Sequence, residues 1–310
     1  MMLTVVILVR DEERHIERAI ASVRPIVGHI VVVDSGSTDR TVEIAERLGA
    51  QVLHNPWRNY ATQFNWALGQ LPAGTQWVLR LDADEIVSPE LCDEIAAILP
   101  GIGHAVDGLV VSRRMNFLGR PIRYGGLFPI RVLRLFRYGR GSVEDRWMDE
   151  HVKVAGLTHN LVGEIVDDNL NSLTWWTSKH NSYASREAVD LLNLRYGFMD
   201  HDTVAGLVDK SEAGVKRWIK EQVYSRLPRG LRSFSYFIYR YIVRLGFLDG
   251  REGLAFHFLQ GCWYRFLVDA KLYEIEKHMR RTKVPVETAI FEVLGIDVRP
   301  SHDTIRPDAC

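Results

Sequence analysis

In the first hundred residues, short β-branched and apolar runs alternate with segments whose apolar residues recur at helical spacing. A chain patterned this way is confined to βαβ units on a largely parallel sheet. Leu3–Val9 is a continuous apolar run, as expected of a strand buried on both faces. Ile16, Ala19, Ile20 and Val23 then mark one face of a helix. The same alternation predicts strands at 29–33, 51–54 and 77–81, with helices at 39–48 and 60–69 between them. Ser88-Pro89-Glu90 supplies an N-cap and a proline at the first helical position, opening a helix that runs to about Leu99. Further strands are expected at 106–113 and 131–137, separated by a mobile glycine-rich loop at 119–126, and a long helix at 172–192.

The strand ends carry the chemistry. In open α/β sheets ligands bind beyond the carboxyl ends of the strands. Asp34 closes the run Ile30-Val31-Val32-Val33 and leads into Ser35-Gly36-Ser37-Thr38-Asp39, where it can accept hydrogen bonds from a nucleobase or ribose, or simply shape the turn. Asp82-Ala83-Asp84 follows the run ending at Leu81. Two carboxylates one residue apart at a buried strand's exit can share a hard divalent cation, and Mg²⁺ uses one or two carboxylates together with substrate phosphates. A departing diphosphate needs such charge neutralisation.

Taken together, VVILVRDEE, IVVVDSGSTDRTVEIAE and LRLDADEIVSPEL resemble glycosyltransferase family 2, the inverting nucleotide-sugar transferases of the GT-A fold. The likeness covers about residues 3–190 and is nearest the branch of lipopolysaccharide-core β-glucosyltransferases and exopolysaccharide glycosyltransferases. It implies an α/β architecture, Rossmann-like, with a mostly parallel sheet flanked by helices. Carried over position by position, it implies that Val9, Arg10, Glu12, Asp34, Ser35, Asp82 and Ala83 contact the nucleotide-sugar. Asp84, with Asp82, would bind Mg²⁺ or Mn²⁺. Ser35 departs from the second Asp that many relatives carry. An inverting transferase also needs a base to take the acceptor hydroxyl's proton. Within Trp147-Met148-Asp149-Glu150-His151, Glu150 matches the base position, six residues before Gly156, with Asp149 as the alternative. Asp167 stands where many relatives have a metal- or diphosphate-reaching His, and His180 and Asn181 match a helix beside the active site.

After Pro228 the character changes. Eleven aromatic residues fall between Phe234 and Phe266, and 210–244 holds nine Lys/Arg against Glu212 and Glu221, a local excess of seven positive charges. The whole chain has 39 basic and 39 acidic residues, so this is an asymmetry and not a general basicity; it points to an anionic membrane surface and away from nucleic acid. Rings interleaved with Arg232, Arg240 and Arg244 suit an interfacial helix with its cations on phosphates. The expected division is a transferase domain over 1–225 and a helical, membrane-associating extension over 226–310.

Cys92, Cys262 and Cys310 offer neither a disulfide framework nor a Cys-x-x-Cys site, which fits a reducing compartment. Leu3–Val9 runs straight into Asp11-Glu12-Glu13, so it reads as a strand and not as a secretion signal. The sequence contains no apolar run of about 18 residues that would span a bilayer. The function expected is metal-dependent, inverting transfer of a sugar from a nucleotide-diphosphate-sugar to a lipid-linked saccharide acceptor. It would serve bacterial surface polysaccharide or lipopolysaccharide synthesis, on the cytoplasmic face of the inner membrane. Two alternatives share the fold: a polyprenyl-phosphate glycosyltransferase, and a catalytically silent scaffold that binds the nucleotide-sugar.

Overall fold

The computed structural model describes residues 2–143, 151–199 and 230–298. Glu150, Asp149 and the basic residues between 210 and 229 lie outside the described residues. The chain forms two compact units, Met1–Leu173 with Ile238–Phe258, and Thr174–Phe237 with Leu259–Cys310. The boundary expected near residue 225 also lies outside the described residues.

In the first unit, β1 (Leu3–Val9), β2 (His29–Asp34), β3 (Gln51–His54) and β4 (Trp77–Asp82) pair in parallel in the order β3-β2-β1-β4. Three helices connect them, α1 (Ile16–Val23), α2 (Thr41–Arg47) and α3 (Tyr60–Leu68). The alternation of side chains along a strand sorts these apolar runs onto two cores. Val5, Ile7, Val32, Leu79 and Leu81 pack with Ile16, Ile20 and Ile44 on one face; Val6, Val31, Val33 and Val78 pack with Ala61, Phe64 and Phe136 on the other. Short polar side chains start the helices: Asn59 accepts from the Thr62 amide at 2.7 Å, and Ser88 accepts from the Leu91 amide at 3.2 Å to cap α4 (Pro89–Ile98).

Beyond β4 the sheet is mixed. β8 (Ile130–Arg137) enters antiparallel between β4 and β6 (Val106–Phe117). β11 (Leu157–Asp167) then runs parallel to β6, and β5 (Glu85–Val87) closes the edge antiparallel to β11. β9 (Gly141–Val143) and β10 (Val152–Val154) form a separate two-stranded sheet. Because β8 opposes both neighbours, β4, β6 and β11 point the same way and their carboxyl ends share one edge.

The stretch 119–126 is not the loop its glycines suggest. It contains β7 (Arg120–Ile122), which folds back on the end of β6, and the turn after it is fastened to a distant segment. Asp249 accepts from the amides of Arg123 and Tyr124 at 3.1 and 3.0 Å, and the Gly125 amide donates to the Arg244 carbonyl at 2.9 Å. Gly125, at φ 76°, lies so close to His257 that a Cβ would sit 2.2 Å from the ring.

The second unit is helical. Ala184, Ala188, Val189 and Leu192 of α5 (Leu173–Tyr196) form a core with Val268, Leu272, Ile275, Ala289 and Ile290. Arg232 donates through Nε to Asp269 at 2.8 Å, so this arginine, expected to meet lipid phosphates, is spent inside the unit. Among the described residues no helix is long and apolar enough to cross a membrane.

Candidate functional site

The order β3-β2-β1-β4 reverses direction between β1 and β4, which makes the carboxyl ends of those strands the place where ligands bind in such sheets. Val9, Asp34 and Asp82 are the last residues of β1, β2 and β4. The turns after β1 and β2 are laced together. The Val9 carbonyl accepts from the amide and hydroxyl of Ser35 at 3.1 and 2.9 Å, and Asp11 accepts from the Thr38 amide at 2.7 Å. In return, the amides of Asp11 and Glu12 donate to the hydroxyls of Ser37 and Thr41. Arg10 projects from this lattice into solvent.

Asp34 is buried, and its carboxylate accepts from the amides of Gly36 and Ser37, both at 3.0 Å, with the His54 ring 3.2 Å away. Burial alone would raise its pKa; the Ser37 and Gly36 donors outweigh it and hold Asp34 below the ordinary carboxylate value. Asp34 therefore builds the turn whatever else it does, and about four lone-pair sites on a carboxylate leave room for a ligand hydroxyl or imide. On the nucleotide contact that the family resemblance implies for Asp34, Asp34→Ala should weaken nucleotide binding by about 1.5–3 kcal/mol, the worth of a hydrogen bond to a charged group. Titration calorimetry with the free nucleoside diphosphate checks this, and an unchanged Kd would reduce Asp34 to a turn former.

Glu12 is not a free contact. Its carboxylate lies 2.6 Å from Nδ1 of buried His15, whose Nε2 accepts from the Leu170 amide at 2.9 Å. The Leu170 bond fixes the tautomer, so Nδ1–H donates to Glu12. This pair ties the β1 turn to the segment after β11, as does Arg18, which holds Asp168 at 2.8 Å.

The two aspartates after β4 have different surroundings. Asp82 accepts from the Tyr60 hydroxyl and from Arg134, both at 2.9 Å, with Arg80 at 3.9 Å. Burial opposes ionisation, but the Arg134 and Arg80 guanidiniums hold Asp82 well below the usual carboxylate range. Arg134 also donates to Glu85, which is 1% exposed. One guanidinium cannot neutralise two buried carboxylates. Burial, partly offset by Arg134 and reinforced by Asp82, pushes Glu85 up to about 8. Asp84 is lightly held by comparison: Oδ2 accepts from the Asn169 side-chain Nδ2 at 2.9 Å, and Oδ1 has no partner among the described residues. Ala83 between them is buried, which turns the two carboxylates outward from one strand end.

Asp167 sits beside this pair, and Arg113 approaches it at 3.9 Å. Burial, with the Asp84 charge next, pushes Asp167 up to about 7. Asp82, Asp84 and Asp167 thus bring three carboxyl groups to one strand-end edge, with Arg134, Arg80 and Arg113 beside them. Among the described residues no group of three or more His, Cys, Asp or Glu side chains is arranged to hold a metal ion alone. The donor set fits a hard divalent cation that completes its shell with substrate phosphates and water, and does not fit a self-sufficient metal centre.

His180 belongs to the second unit. Its ring stacks on Trp176 at 3.5 Å, Nδ1 donates to the Trp176 carbonyl at 2.9 Å, and Tyr183 and Tyr264 meet its face edge-on. Burial lowers its pKa, so it is a neutral ring in an aromatic pile. Asn181, one residue on, is exposed.

Tyr60, Arg134, Glu85, Arg113 and His15 are parts of this site that sequence reasoning did not single out. The available signal was charge in the wrong place: Arg134 stands in an apolar strand, and a buried arginine requires a buried partner.

The sequence model of Glycosyl transferase family 2 matches residues 4–155. An uncharacterized glycosyltransferase of Rickettsia typhi is 28% identical over 285 residues, covering 88% of this chain and 87% of its own. Uncharacterized glycosyltransferases of other Rickettsia, among them Rickettsia bellii, reach 48% over 92 residues, and there the chain spans about a third of their length (31%). The lipopolysaccharide core biosynthesis glycosyltransferase LpsC of Rhizobium meliloti is 31% identical over 147 residues, 46% of this chain and 53% of its own. Among solved structures, glucosyl-3-phosphoglycerate synthase from Mycobacterium tuberculosis with Mn²⁺, UDP and glucosyl-3-phosphoglycerate is 26% identical over 37% of this chain and 44% of its own, with a TM-score of 0.31.

Proposed function

We propose that this chain, whose residues 4–155 match the sequence model of Glycosyl transferase family 2, transfers a sugar with inversion from a nucleotide-diphosphate-sugar to a lipid-linked saccharide in bacterial surface polysaccharide or lipopolysaccharide synthesis. The observation that carries it is the unequal pair at the end of β4: Asp82 locked by Tyr60 and Arg134, Asp84 with an unengaged oxygen at the sheet's switch point. The name of LpsC, a lipopolysaccharide core glycosyltransferase, supports the acceptor class.

In this reading the turns after β1 and β2, with Val9, Arg10, Asp34 and Ser35, receive the nucleoside. Asp82 and Ala83 border the ribose, and Tyr60 and Arg134 keep the Asp82 carboxylate from rotating. Asp84, with Asp82, would hold Mg²⁺ or Mn²⁺, which when bound neutralises charge building on the departing diphosphate. Glu12 and Asp167 fix the floor of the site through His15 and Arg113. Glu150 takes the proton from the acceptor hydroxyl as that oxygen attacks the anomeric carbon from the face opposite the diphosphate. Glu150→Gln should leave donor binding intact and slow transfer about 10²-fold or more, the scale of a lost general base, with Asp149→Asn milder. Steady-state rates of the two variants decide between them; the reverse ranking moves the base to Asp149. The enzyme would work on the cytoplasmic face of the inner membrane, against its anionic surface. Release of nucleoside diphosphate from a panel of labelled nucleotide-sugars tests the proposal; a chain that binds donor and never turns it over is a scaffold instead.

A further inference from the structure

The segment Ile238–Phe258 of the first unit is built inside out. A π-helical turn (Tyr239–Val243), a left-handed residue (Leu245, φ 59°), a 3₁₀ turn (Gly246–Asp249) and a helix (Gly250–Phe258) make a tight helical hairpin. Its interior holds three polar side chains packed beside Phe256. Arg240, His257 and Asp249 are 2%, 0% and 3% exposed, with Arg240 Nη2 3.0 Å from His257 Nδ1 and His257 Nε2 3.5 Å from Asp249. Its outside is apolar: Ile242, Val243, Leu245, Phe247 and Leu248 are 44–63% exposed. In water both halves of this arrangement cost free energy, the buried charges and the bare hydrocarbon alike; apolar surroundings remove the second cost and strengthen the hydrogen bonds that offset the first.

Charge around the tip selects the surroundings. Arg120, Arg123, Arg244 and Arg251 are exposed beside it, while Asp249 is spent on backbone amides and Glu252 pairs with Arg120 at 3.7 Å. An apolar tip ringed by arginines fits a bilayer with anionic headgroups, hydrocarbon below and phosphate at the rim. A second copy fits poorly, because a twofold contact would set each arginine ring against its own image.

We infer that the Ile242–Leu248 tip is a wedge that inserts into the anionic leaflet and holds the catalytic unit on the membrane. The wedge is tied through Asp249 and Arg244 to the turn after β7, which extends from the carboxyl end of β6. That end is the edge of the sheet bearing Asp82, Asp84 and Asp167. The anchor therefore holds the site's own edge against the leaflet, where a lipid-linked acceptor emerges; that last step rests on the function proposed above. The wedge replaces the interfacial helix expected from composition, since Arg240 faces inward and Arg232 is bonded to Asp269.

The test is vesicle co-sedimentation of the full chain. Wild type should pellet with phosphatidylethanolamine vesicles containing phosphatidylglycerol and much less with phosphatidylcholine alone. Val243→Glu with Phe247→Glu should bind the anionic vesicles about tenfold less or weaker. Val243 is 63% and Phe247 44% exposed, so thermal unfolding should stay close to wild type and lipid-free donor hydrolysis should match it. The wedge is overturned if wild type stays in the supernatant, if the double variant pellets like wild type, or if wild type is a dimer that the variant makes monomeric while neither binds vesicles. If vesicle binding separates the two proteins but neither turns over any donor, the wedge stands and the transferase reading of the site fails.

Discussion

Asp84→Asn is expected to lose about 10²–10³-fold in sugar transfer, the range found when one group stabilising transition-state charge is removed. The substitution keeps shape and removes the negative charge, so the hydrogen-bond partner Asn169 and the fold should be little disturbed. Asp84 is singled out over Asp82 because of what already holds each carboxylate. Asp82 has committed one oxygen to Tyr60 and the other to Arg134, whereas Asp84 has an oxygen without a partner among the described residues. EDTA should silence the wild type, and Mg²⁺ or Mn²⁺ should restore it. Rate measurements across a metal titration check both points, and full activity in chelator would remove the metal role from Asp84.

Arg134→Met is expected to destabilise the protein by about 3–5 kcal/mol, the cost of removing one partner from a buried ionic cluster. The methionine fills much of the volume but leaves Asp82 with only the more distant Arg80 and Glu85 with only Arg113, each at 3.9 Å. Urea denaturation followed by circular dichroism measures the loss; a cost below about 1 kcal/mol would mean that water reaches this cluster and screens it. Glu85 gives the cluster a pH signature. Folding raises its pKa from 4.5 to about 8, so the folded chain binds the extra proton between those values. Its contribution is complete below pH 4.5 and is drawn down as pH rises to about 8. Glu85→Gln, which replaces a carboxyl already protonated at neutral pH, should flatten that part of the stability profile.

The parallel half of the sheet was legible because its signals are local. β1 and β3 fall on their expected residues, β2 within one residue of its own, and the Ser88 cap lies where its sequence places it. The mixed half was less legible. β11 carries Thr158, His159, Asn160 and Glu164 on exposed or half-exposed positions, so its apolar run is broken and no period-2 pattern stands out. β5 and β7, three residues each, are defined by their partners and not by their own composition. At the site, the sequence placed Asp82 and Asp84 at the end of a strand, where they lie, but not what holds each carboxylate. Asp82 is held by Tyr60 from α3 and Arg134 from β8, which are 22 and 52 positions away from it along the chain. The C-terminal aromatic run shows the same limit. Composition pointed to a surface with cations outward, whereas long-range pairing with His257 and Asp269 turns Arg240 and Arg232 inward.

The reaction proposed for this chain adds one sugar to a membrane-linked saccharide through the carboxylates at the end of β4. Mass spectrometry of membrane glycolipids from cells lacking the protein, and from the same cells given back wild type or Asp84→Asn, tests it most directly. A glycan shortened by at least one sugar is expected in the deletion, restored by wild type and not by Asp84→Asn. Glycolipids unchanged by the deletion, or restored equally by Asp84→Asn, would contradict it.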